Sequence, residues 1–236
     1  MITMSAKTSI RRIKPPCFVK LLDLKDLVRL TCAFEKTPIP IFSFQFNNEN
    51  YLATQLDIFM GRPIFYYVKA RDDKQFLGYK NSGGIEETVS VDSPLFPAYI
   101  YTPIIHLKKL PKLFQKGFEL TRGKIEKCLS IQIKDIVGLA KISSYKVLFE
   151  EPPLPLFLFK SNGENVIGAF AHIDEIDENS IFFYTVLDEL PVYNFLKYSA
   201  LKIGEADFTN KVDEHGNIYI KIIRLASSHP LVELEK

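Results

Sequence analysis

Phe34-Glu-Lys-Thr-Pro-Ile-Pro-Ile-Phe-Ser-Phe-Gln-Phe-Asn-Asn-Glu-Asn50 recurs without a gap as Phe149-Glu-Glu-Pro-Pro-Leu-Pro-Leu-Phe-Leu-Phe-Lys-Ser-Asn-Gly-Glu-Asn165, with nine of seventeen positions identical. Three more blocks repeat in the same order. Leu24-Lys-Asp-Leu-Val-Arg-Leu30 matches Ile133-Lys-Asp-Ile-Val-Gly-Leu139, Ile64-Phe-Tyr-Tyr67 matches Ile181-Phe-Phe-Tyr184, and Ile100-Tyr-Thr-Pro-Ile-Ile-His-Leu107 matches Ile218-Tyr-Ile-Lys-Ile-Ile-Arg-Leu225. The offsets are 109, 115, 117 and 118 in chain order. Four collinear matches at nearly constant offset are the mark of a unit written twice in tandem.

Each copy carries the same local signals. A short alternating strand (18–24; 129–133) leads into a Lys-Asp pair that opens an apolar helical stretch, where an Asp can accept from the orphan N–H groups of a first turn. Pro-x-Pro then marks strand entry, since proline fits neither a helix interior nor a central ladder. Alternating phenylalanines follow, and Asn47-Asn48 and Asn162-Gly163 supply hairpin turns. Two further strands are expected to complete a meander. The expected fold is α+β and mostly antiparallel, in two tandem homologous halves related by a pseudo-twofold, with one short helix per half. The divisions are an arm at 1–16, a first repeat at 17–107, a connector at 108–127, a second repeat at 128–226 and a tail at 227–236.

The chain has 236 residues, 47% hydrophobic and 25% charged, enough to bury a core. Its net charge is only +2, so attraction to nucleic acid or to an anionic surface must come from a local patch. One such patch is the connector, with seven basic residues against two acidic ones and apolar anchors at Leu110, Leu113, Phe114 and Phe118. Cys17, Cys32 and Cys128 form no CxxC pair, which suits a reducing compartment. No apolar core follows Arg11, Arg12 and Lys14, and no run approaches 18 apolar residues, so neither a signal peptide nor a membrane span is expected and a cytoplasmic location is. The lack of Trp, with little Gln and much Ile and Lys, is a composition seen in thermophiles.

Chemistry-bearing motifs are scarce. His106, His172, His215 and His229 fall at no metal-ligand spacing, so no metal and no cofactor are expected. No GxSxG is present, and Cys17 and Cys128 sit among apolar residues, as packing thiols do. Ser82-Gly83-Gly84 lacks the GK[ST] of a phosphate loop and reads as a mobile loop. Asp174–Glu178 reads as an acidic turn before a cation site, and Asp213–Asn217 as a hairpin turn before an acid–base pair. Phe42, Phe44, Phe157 and Phe159 alternate as core residues do, while Tyr66, Tyr67 and Tyr184 are the candidates for an amphipathic surface.

The repeated series of strand, Lys-Asp helix, Phe-Glu-x-x-x-x-Pro-apolar-Phe-x-Phe and Tyr51-Leu-Ala-Thr-Gln-Leu-Asp57 resembles the half-domain of the PCNA-like sliding clamps, the checkpoint-clamp subunits above all. The likeness covers about 45 residues of each half, and the second copy has Val166-Ile-Gly-Ala-Phe-Ala171 where the first has Tyr51-Leu-Ala-Thr-Gln-Leu56. The resemblance implies helices that line a DNA-sized hole, with Lys25, Arg29, Lys134 and Lys141 as sequence-blind phosphate contacts. It also implies that Leu110, Leu113 and Phe114 of the connector receive partner peptides, beside the basic Lys108, Lys109 and Lys112.

The leading expectation is therefore a non-enzymatic binding or scaffold protein, clamp-like on DNA, with no catalytic residue and with DNA and protein partners. A second reading is a small-ligand binder or enzyme with its site in the cleft between the halves, where Asp57/His172 and Arg62/Asp177 have diverged. A third is a homo-oligomeric structural subunit that pairs through sheet edges.

Overall fold

The computed structural model describes residues 16–31, 39–59, 62–70, 78, 81, 83–89, 98–110, 112–119, 128–144, 153–172, 180–187, 200–203, 217–229, 232 and 234. Two six-stranded sheets account for most of them. The first contains β1 (Cys17–Lys20), β2 (Ile41–Phe46), β3 (Glu49–Phe59), β4 (Arg62–Lys69), β5 (Gly84–Val89) and β6 (Ala98–His106) in the order β1-β4-β3-β2-β6-β5. The second contains β7 (Leu129–Gln132), β8 (Leu156–Ser161), β9 (Glu164–His172), β10 (Ser180–Leu187), β11 (Ala200–Ile203) and β12 (Ile218–Arg224) in the order β11-β12-β8-β9-β10-β7. With β1 to β6 matched to β7 to β12, the two orders are the same order read from opposite ends.

Register repeats as well as order. Phe42 faces Ala53 and Phe157 faces Gly168 across the duplicated hairpins. Ile41 faces Ile104 as Leu156 faces Ile222. Asn47, Asn48, Asn162 and Gly163 all have positive φ, the backbone that a two-residue turn with the sheet's own twist requires. Each sheet has three antiparallel and two parallel pairings. The parallel pairs depart from the expected meander: the last strand of each half returns to lie parallel to its first hairpin strand. Gly84, expected in a mobile loop, opens β5, and a Cβ there would stand 2.3 Å from the Tyr101 ring that covers it.

Among the described residues three helices pack on the sheets: α1 (Leu24–Thr31), α2 (Lys112–Glu119) and α3 (Ile136–Ser144). α1 and α3 are the paired helices of the repeat, and their caps correct the sequence alignment. Asp23 accepts from Asp26 N at 2.9 Å, and Asp135 accepts from Gly138 N at 2.8 Å. Leu27 N donates to Asp23 O as Leu139 N does to Asp135 O. The structural match thus pairs Asp23, not Asp26, with Asp135, one helical turn from the offset that the shared Lys-Asp suggests. The β1/β4 and β7/β10 registers agree, pairing Cys17 with Ile64 and Leu129 with Ile181.

The halves meet through unlike faces. Ile41, Leu52, Tyr66 and Ile104 lie on the α1-bearing face of the first sheet, and their counterparts Leu156, Ile167, Phe183 and Ile222 lie on the α3-bearing face of the second. The first of these faces shares its core with the opposite face of the second sheet, through Phe157, Phe159, Phe182 and Ile223. Tyr66 stacks on Phe157 with ring centroids 6.0 Å apart. A Leu21–Leu225 bridge, with Leu22 N to Arg224 O and Ala226 N to Lys20 O, ties the sheets together. The two similar halves are thus stacked with unlike faces in contact.

Both faces of both sheets carry apolar side chains, which is why Tyr66 and Tyr184 are buried and Tyr67 half-buried instead of forming a surface. Among the described residues no helix is long and apolar enough to cross a membrane.

Candidate nucleic-acid interface

The connector's helix owes its place to apolar residues at helical spacing. Leu110, Phe114 and Phe118 recur every fourth residue, and so line one face. Phe118 sits edge-on among Phe18, Phe44, Phe46 and Tyr51, at centroid distances of 4.7, 6.0, 5.2 and 5.1 Å, on the outer face of the first sheet. Phe114 meets Phe65 at 4.5 Å, and Leu110 is buried in the same cluster. Gln115 Nε2 donates to Leu110 O at 2.6 Å and closes the start of the helix. Leu110 and Phe114, expected to receive partner peptides, are thus used in holding α2 to its own sheet. Leu113 lies on α2, and its side chain is outside the described residues.

Docking of that face leaves the lysines outside. Lys108 and Lys109, just after β6, and Lys112 and Lys116 on α2 are all exposed. Lys112 and Lys116 thus stand on a helix pinned by rings, and Lys108 and Lys109 lie in the segment that leads to it.

The helical cations are not gathered on one surface. Lys25 on α1 and Lys134 just before α3 are exposed, and Lys141 on α3 is half-buried, but α1 packs against both β4 and β12 whereas α3 lies on β9 and β10. Arg29 is engaged inside the molecule, donating to Asp26 Oδ1 at 2.9 Å.

That contact belongs to a charged seam which the sequence reading missed. Asp26 is fully buried on α1. Arg224, at the end of β12 in the other half, reaches Asp23 Oδ2 at 3.0 Å and Asp26 Oδ1 at 3.3 Å. Asp26 Oδ2 has no hydrogen-bond partner among the described residues. Burial raises the Asp26 carboxyl to about 6 against the pull of Arg224 and Arg29, with Asp23 raising it further. The hint in the sequence is the mismatch of His106 with Arg224 near the end of the matched last strands. His106 is exposed, its Nδ1 hydrogen-bonded to the Ser43 hydroxyl.

His229 is enclosed where the halves meet. Its Nε2 lies 3.5 Å from the Tyr66 hydroxyl, and its ring is 4.6 Å from that of Phe170. Burial pushes it down to about 3, so it packs as a neutral imidazole. Burial likewise pushes the Cys128 thiol up to about 12, which leaves it inert as a nucleophile at neutral pH.

Among the described residues no three His, Cys, Asp or Glu converge as metal ligands. Asp57, Arg62 and His172 lie on β3, β4 and β9 at positions whose side chains are outside the described residues. Cys32, Asp177, the rest of the acidic run at 174–178, Asp207, Asp213 and His215 are outside them altogether. Comparison of the chain with protein-family models, with curated proteins and with solved structures returns no match.

Proposed function

We propose that this is a non-enzymatic scaffold that binds the phosphate backbone of nucleic acid through its connector. The observation that carries the reading is a cluster of exposed cations, Lys108 and Lys109 just after β6 and Lys112 and Lys116 on α2, the helix fixed to the outer face of a sheet. A helix already fixed to its sheet has no backbone left to order on binding, and each lysine that meets a phosphate releases a condensed counterion. Because net charge is only +2, this local cluster and no global field supplies the attraction. A ring whose hole is lined by α1 and α3 would need those helices on one surface. Their separate positions favour the connector as the contact.

Fluorescence anisotropy with labelled duplex and single-stranded DNA checks the proposal. Three to four phosphate contacts predict that binding to duplex weakens roughly 40- to 150-fold between about 50 and 200 mM salt. Reversing Lys108, Lys109 and Lys112 together to Glu should abolish binding without moving the thermal midpoint, since all three side chains are solvated. Binding that ignores salt, or that survives the triple reversal, rules the connector out.

A further inference from the structure

The segment that follows β12 runs out to the surface and then turns back into the molecule. Ala226, Ser227 and Ser228 are exposed, and the next residue, His229, is 1% exposed. Val232 is buried in the core shared by the two halves, and Leu234 packs against it. Val232 N donates to His229 O at 3.0 Å, a turn that keeps the two buried residues together. His229 touches both halves. Its Nε2 lies 3.5 Å from the Tyr66 hydroxyl on β4, and its ring stands 4.6 Å from that of Phe170 on β9. Among the described residues, then, the segment grips the seam by one imidazole and two aliphatic side chains.

A leucine or phenylalanine would fill apolar space between Tyr66 and Phe170 with no proton to exclude. Imidazole is the side chain whose charge ordinarily changes between pH 5 and 8. The titratable groups facing it from the first sheet are the Tyr66 hydroxyl and, near enough to act on that hydroxyl, the Cys17 thiol of β1. Burial raises the Tyr66 phenol and Cys17 adds to the rise, so the phenol stays neutral wherever imidazole titrates. β9 presents the Phe170 ring. On the segment's own side the charged group nearest in sequence is Arg224, which is engaged with Asp23 and Asp26 of α1. A charged His229 therefore recovers its hydration by leaving, and burial holds the proton off down to about 3.

We infer that the segment after β12 is an acid-released strap: protonation of His229 withdraws the imidazole and Val232 from the core between the halves while both sheets stay folded. The sign follows from the downward shift. The docked strap's stability is complete above the ordinary imidazole value of 6.5, and is lost as pH falls from there towards 3. Asp26, in the seam between the same halves, works in the opposite sense and favours the folded seam in acid, so release of the strap is separable from parting of the halves.

Hydrogen exchange on the full-length protein at pH 7.5, 6 and 4.5, with each rate divided by the intrinsic rate at that pH, reads the strap's opening. For the amides at 226–234, Val232 above all, the opening constant should rise about 90-fold from pH 7.5 to 4.5, the ratio for an imidazole at 6.5 when released and about 3 when docked. Amides of the β8–β9 hairpin should change far less. His229→Phe and His229→Leu, whatever their opening at pH 7.5, should lose the pH dependence and vary by less than about 3-fold. Tyr66→Phe keeps the imidazole and should keep the rise. The His229 ring resonance of the wild type should hold its neutral-form shift to below about pH 5 for as long as the strap is protected. A resonance that titrates near 6.5 with the strap still protected overturns the inference. So does a wild-type rise of less than about 5-fold, an equal rise in both His229 variants, or loss of β8–β9 protection in step with the strap.

Discussion

Gly168→Ala will lower the unfolding free energy by about 3 kcal/mol, although alanine is what the sister copy carries at the equivalent Ala53. The two positions hold the same place in the register, facing Phe157 and Phe42 respectively. What differs is the next strand. Phe65, beside Ala53's half of the repeat, pairs with Phe18 and stacks on its ring at 5.4 Å. Its counterpart Phe182 pairs with Ser130, which has no ring to offer. Phe182 packs instead on Phe170 at 4.7 Å and lies across Gly168, so that a Cβ there would stand 2.2 Å from the ring and 2.6 Å from the Phe183 carbonyl oxygen. Phe182 is fully buried and cannot swing away, and a carbonyl in a ladder cannot retreat without breaking its pairing. Urea denaturation of Gly168→Ala, Phe182→Leu and the double variant tests the account. The double variant should be more stable than the sum of the single losses implies, by about 1 kcal/mol or more. Additive losses, or a Gly168→Ala within error of wild type, would contradict it.

The duplication was legible where the sequence carries non-periodic information. The 17-residue block holds paired prolines and turn residues with positive φ, which tolerate no slip, and the β2–β3 and β8–β9 registers follow its offset of 115. The helices were misaligned because an apolar helix nearly repeats itself after three or four residues. The shared Lys-Asp favours one turn, and the capping hydrogen bonds of Asp23 and Asp135 choose another. Strand alternation says which residues share a face but not what covers it. Tyr66 and Tyr184 were therefore expected at a surface although each half's sheet is covered on both sides there, and the exposed stripe at Tyr99 and Tyr101 went unnoticed within an apolar run. The lysines of the connector were legible because solvation needs no partner. Arg29 was not, since its partner Asp26 had been read as a cap.

The seam between the halves carries the second large effect, and its sign follows from the direction in which Asp26 is shifted. Burial raises its carboxyl from an ordinary 3.8 to about 6, so the folded chain holds the proton more tightly than the unfolded one. The corresponding stability is present in full below the unfolded value, and is lost as pH rises through the folded one; at neutral pH the ionised Asp26 leaves the fold about 3 kcal/mol less stable than under acid, counting this group alone. Asp26→Asn removes that dependence. Its stability measured against wild type should improve by about 2–3 kcal/mol between pH 4 and pH 7.5, whatever the absolute difference at either end. Arg224→Met acts oppositely. It strips the buried carboxylate of a cation at 3.3 Å and should cost about 3–5 kcal/mol at pH 7.5, less at pH 4.5 where Asp26 is protonated. In the double variant the buried charge is gone, so Arg224→Met should cost far less when combined with Asp26→Asn than alone. Denaturation curves at the two pH values settle this: parallel pH profiles for wild type and Asp26→Asn would mean that the carboxylate is solvated, and that the halves are joined by apolar stacking without an electrostatic latch.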